Sequence, residues 1–89
     1  MIEVAGLLHG PDLPASGVPT LLQFRGELLR VTRPGGAFED VSAESLNISV
    51  TGFNEDTLQL AWERGGQTHA VTVGEPAAQR ALLDSAPES

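Results

Sequence analysis

The sequence predicts a mainly β domain: seven short antiparallel strands curl into a split barrel, and one C-terminal α-helix closes it. Three observations carry this. Apolar residues alternate with polar ones at period two in segment after segment. Turn-forming residues separate the segments, with 10 Gly and 6 Pro in 89 residues. One helical spacing occurs, and it comes last. Short alternating segments bounded by turn signals specify all-β architectures, and a short terminal helix has to find a sheet to dock on.

The clearest pair of elements is the hairpin over residues 57–73. Leu58, Leu60 and Trp62 alternate, Gly65-Gly66 intervenes, and His69, Val71 and Val73 alternate again. Gly-Gly supplies the positive φ angles of a two-residue turn. That turn sets Trp62 opposite His69, Leu60 opposite Val71 and Leu58 opposite Val73. All six then share a face, so turn chemistry and burial select one register.

The remaining elements follow in chain order. Residues 2–8 form a first strand. Residues 10–19 contain Pro11, Pro14 and Pro19 with Gly10 and Gly17, a loop that cannot continue a central strand. Residues 20–24 and 27–32 form a second hairpin. A turn at Arg25-Gly26 would pair Leu22 with Leu29 and Thr20 with Val31. Arg33-Pro34-Gly35-Gly36 turns the chain into a short fourth strand, residues 38–41. Leu46, Ile48 and Val50 alternate as a fifth, and residues 52–56 are a polar connector.

Pro76 after Glu75 starts a helix. Proline at the first helical position loses no needed hydrogen bond, and an acid beside it complements the helix dipole. Ala78, Ala81, Leu82 and Ser85 form one narrow stripe at helical spacing. Residues 1–85 are therefore expected to be one folded domain, with 86–89 as a tail or linker.

Composition excludes several functions. The formal charge is -7, and the 5 basic residues are all Arg. Phosphate recognition relies on clustered Lys and Arg. The chain is accordingly expected to bind neither nucleic acid nor an anionic membrane surface directly. There is no Cys, which rules out a disulfide scaffold and a thiolate ligand or nucleophile. There is no long apolar run and no basic leader, and a cytoplasmic location is expected, as part of a larger protein at the cytoplasmic face of a membrane or alone.

No catalytic motif is present: neither H-E-x-x-H, nor a P-loop, nor G-x-S-x-G. His9 beside Asp12 is too few ligands for zinc and reads as a solvated histidine at a loop edge. His69 reads as a ring packed on Trp62. Glu39, Asp40, Glu44, Glu55 and Asp56 read as solvated charges, and the serines have no partner histidine in any motif. No enzymatic activity, cofactor or metal is expected.

Seven strands in two antiparallel groups closed by a terminal helix resemble the pleckstrin-homology superfold. A closer resemblance spans almost the whole chain. It rests on Gly10, Leu22, Gly26, Leu29 with Val31, Leu46 with Ile48 and Val50, Leu58 with Leu60, Gly65-Gly66, Val71, and Glu75-Pro76-Ala77-Ala78 with Ala81-Leu82-Leu83. This layout is similar to a small N-terminal domain of uncharacterised function. That domain precedes the catalytic domain in some bacterial membrane zinc metallopeptidases of the HtpX and CAAX-prenyl-protease type.

The resemblance implies a non-catalytic accessory or interaction module, either the regulatory domain of such a peptidase or a stand-alone peptide- or ligand-binding domain. The partner would be a protein or peptide segment, or a catalytic domain of the same polypeptide. Modules of the superfold often bind extended peptides beside the fifth strand and the terminal helix. On that analogy the expected partner-binding residues are Asn47, Ser49, Thr51 and Arg80. Phosphoinositide binding needs basic residues in the loop at 10–19, and that loop has none.

Overall fold

A computed structural model describes residues 2–87. Among them lie β1 (Val4–His9), β2 (Val18–Arg25), β3 (Leu28–Thr32), β4 (Phe38–Ser42), a 3-10 turn (Ala43–Ser45), β5 (Asn47–Thr51), β6 (Thr57–Arg64), β7 (Gln67–Val73) and α1 (Pro76–Asp84). The strands form one antiparallel sheet in the order β4-β3-β2-β1-β7-β6-β5. Two meanders, β1–β4 and β5–β7, are thus joined by the pairing of β1 with β7. The sheet curls into a half barrel whose free edges are β4 and β5.

Alternation sets the two faces. Val4, Leu8, Leu22, Phe24, Leu29, Val31, Val41, Leu58, Leu60, Trp62, Val71 and Val73 fill the concave side and are buried. Leu82 of α1 is wholly buried among them, as the helical stripe predicts. Burying such a side chain contributes about 1.5–3 kcal/mol, which a nine-residue helix needs because it is marginal alone.

The β6–β7 register agrees with the prediction at every pair: Leu58 with Val73, Leu60 with Val71, Trp62 with His69. Gly65 and Gly66 take φ of 60° and 78°, both positive as a type I′ turn demands. The β2–β3 hairpin differs. Leu22 pairs with Val31 and Phe24 with Leu29, so the turn residues are Gly26-Glu27 and not Arg25-Gly26. Gly26 has φ of 60° and Glu27 is not in the positive region, the φ pattern of a type II′ turn with glycine first. The slip is two residues in register, so every side chain keeps its expected face.

Strand β2 also begins earlier than expected, at Val18, and runs through Pro19. Its pairing with β3 starts only at Leu21. At Pro19 the strand is therefore a local edge on that side, where a missing N–H costs no ladder bond.

Two further boundaries shift. The first strand starts at Val4 and extends to His9. Ala86, expected in the tail, is partly buried against the core, and its N–H donates to the Leu83 carbonyl at 3.2 Å. Residues 88 and 89 of the expected tail, and residue 1 of the expected domain, lie outside the described residues.

Candidate partner-binding edge

Two places on the concave side combine polar and apolar groups. The first is the end of the half barrel farther from α1. There Trp62 and His69 stack with ring centroids 5.8 Å apart and planes inclined by 14°. Gly10 of the β1–β2 loop lies close over His69, since a Cβ there would come within 3.0 Å of Nδ1. Arg64 of β6 makes an ion pair with Glu39 of β4, linking the two meanders. The Trp62 indole N–H is buried without an acceptor among the described residues. The groups at this end pack against one another, and His69 has the role the sequence predicts.

His9 lies on the other, convex face. Its Nε2 is 3.1 Å from Thr72 Oγ1 on β7, and Gly17 is packed so close that a Cβ there would meet the ring at 2.8 Å. It is therefore held by side-chain contacts and is not the solvated loop-edge residue expected. The two histidines face opposite sides of the sheet, and among the described residues no three His, Asp or Glu side chains gather into a possible metal site.

The second place is the edge at β5. This strand pairs with β6 alone, leaving its other row of backbone N–H and C=O groups without a strand partner. Ile48 stands opposite Leu60 and Val50 opposite Leu58, so both belong to the concave face. Leu60 is fully buried, yet Ile48 is 48% and Val50 59% exposed. The apolar floor of the barrel thus continues to its rim without cover.

The helix borders this rim on a particular flank. Gln79 Nε2 donates to the Val73 carbonyl and to the Asp56 carbonyl, both at 2.7 Å. Asp56 ends the turn that joins β5 to β6, so the Gln79 flank of α1 is the one turned toward that hairpin. Leu83, four residues on and therefore on the same flank, is 43% exposed.

The residues predicted for partner binding are arranged differently. Asn47, Ser49 and Thr51 pair with Ala61, Gln59 and Thr57, which puts their side chains on the convex face. Arg80 lies on the exposed side of α1 and lines a shallow cavity of about 430 Å³ with Pro76, Ala77, Ala81 and Asp84. The structure does not bring Arg80 together with the three strand residues in that cavity. The exposed apolar side chains here are instead Ile48 and Val50 on the concave side of β5 and Leu83 on the Gln79 flank of α1. The alternation in residues 46–50 carried that signal, because Ile48 and Val50 are the strand's only large apolar side chains.

Acidic residues flank the edge at both ends. Glu44 and Glu63 are exposed at its start, and Glu55 and Asp56 are exposed in the turn at its end. No helix among the described residues is long and apolar enough to cross a membrane. No protein-family model, curated protein or solved structure matches the chain.

Proposed function

We propose that this chain is a non-catalytic interaction module of the pleckstrin-homology-like type, and that it takes up an extended segment of a partner protein as an additional strand along β5. The observation that carries this is the bare edge itself. β5 has free main-chain groups on one side, no charged residue and no proline, and exposed Ile48 and Val50 on its inner face. A segment added here gains main-chain hydrogen bonds from the edge and buries alternate side chains over the apolar rim.

The two joined meanders and the plugging helix support the pleckstrin-homology-like reading. Association with a membrane zinc peptidase, at the cytoplasmic face, is carried by the motif resemblance alone. The acidic charge argues against nucleic acid or phosphoinositide headgroups as ligands.

Selection from a random peptide display library on the immobilised domain tests the proposal. Enriched peptides should alternate apolar and polar residues and should lose binding to a Val50→Glu variant. Peptides that bind the wild type and that variant equally would place the interaction elsewhere and defeat this reading.

A further inference from the structure

Resting on the β5 reading, we infer that the segment this edge accepts is a basic-flanked strand: an alternating apolar core with Lys or Arg just beyond each end. The argument starts from where the charges stand. The edge Asn47–Thr51 is uncharged, but exposed Glu44 and Glu63 lie at one end and exposed Glu55 and Asp56 at the other. The nearby cations do not offset them. Arg64 is engaged by Glu39, and Arg80 sits on the outer side of α1 one turn before Asp84. A strand laid along β5 therefore passes between two acidic ends. At about 3.3 Å per residue, cations spaced by about six to eight residues would meet both.

The same charges argue against a second copy of this chain as the occupant. An antiparallel pairing of β5 with itself, centred on Ser49, brings the Glu44 end of one copy toward the Glu55-Asp56 end of the other. By symmetry this happens at both ends, between molecules that each carry a net charge of -7. Like charges gathered at the ends of such a pair repel one another. The acidic ends thus disfavour edge-to-edge dimerisation while leaving the strand open to a partner of opposite charge.

Three synthetic peptides with one core of alternating valine and threonine test this. They carry paired lysines, serines or glutamates at both ends, and their affinities are measured by fluorescence anisotropy at low and high salt. The lysine peptide is expected to bind about tenfold or more tighter than the glutamate peptide. That advantage should shrink in high salt and in an E44Q/E55Q/D56N variant. Equal affinity of all three peptides would overturn the charge inference and leave the edge reading standing. Failure of all three to bind at about millimolar concentration would overturn both. Undiminished binding of the lysine peptide to a Val50→Glu variant would also overturn both, because the attraction would then be charge without strand addition.

Discussion

β4 and β5 are five-residue strands, each paired on one side only, and each ends the same sheet. They differ in what their side chains do. β4 reads FEDVS and carries two carboxylates. Glu39 points inward and pairs with Arg64 across the concavity. Asp40 points outward and accepts two hydrogen bonds from Arg30, at 2.9 and 3.0 Å, while the Arg30 guanidinium lies 3.8 Å over the Phe38 ring. An inward-pointing charge on an edge strand blocks a further strand from docking. β5 reads NISVT and has no such device. Its protection lies outside the strand, in the acids at its two ends. Those repel a like-charged copy and leave the main chain accessible. One edge is closed by its own side chains, and the other is the one proposed to accept a partner.

Both edges belong to one folded sheet, and Leu82 is wholly buried in its core. Leu82→Ala should cost about 2–5 kcal/mol, most of the roughly 5 kcal/mol that so small a domain has. A urea melt showing a loss below about 1 kcal/mol would mean that the edges are set without the helix.

A smaller and one-sided effect is expected at Gln79. The helical stripe places Gln79 away from Leu82 and suggests a silent position, with a change to Ala shifting stability by less than about 0.5 kcal/mol. Its two hydrogen bonds to Val73 and Asp56 revise that expectation. Gln79→Ala should cost about 1 kcal/mol and speed amide exchange in the β5–β6 turn while leaving β4 unchanged. Equal acceleration at both edges would break the distinction.

The β4 edge should respond to acid where β5 does not. The hydrogen bonds from Arg30, helped by its charge and that of Arg25 and opposed by partial burial, hold the Asp40 carboxyl below its ordinary value of 3.8. A carboxyl whose pKa falls on folding contributes stability above its unfolded pKa. That contribution is lost as pH falls through the lower folded value. Asp40→Asn should therefore have a lower urea midpoint than the wild type near neutrality, and the two should converge in acid below about pH 4. A gap of constant size across that range would mean that the carboxylate charge is not what secures β4.

The smallest stability effect is expected from copying the β4 device onto β5. Val50 is already more than half exposed, so Val50→Glu should change stability by less than about 0.5 kcal/mol while abolishing strand addition. A large destabilisation would show that Val50 belongs to the core after all.

Much of this architecture is legible in the residues. Gly65-Gly66 and the alternation around it admit one hairpin register, because a slip of one would expose Trp62 and Leu60. The single Gly26 is less decisive. A lone glycine can occupy either turn position, and a two-residue slip leaves the burial pattern intact, so nothing in the alternation corrects the error. Gln79 is missed because its partners are backbone carbonyls brought near by tertiary folding. The candidate edge is half legible. Periodicity tells that Ile48 and Val50 share the face of Leu58 and Leu60. It does not tell that this face runs out of cover at β5, since that depends on the strand order. Asn47, Ser49 and Thr51 follow from the superfold analogy alone, which names the strand and not which of its faces is apolar and exposed. Glu39 reads as a solvated charge until β4 is known to be an edge.

The most direct test of the central claim is amide hydrogen exchange of the domain with and without the lysine-flanked peptide. The account predicts that amides within Asn47–Thr51 directed away from β6 slow on binding, while those of β4 keep their free rates. Binding that leaves the β5 amides unchanged, or that protects β4 or the convex face instead, would contradict it.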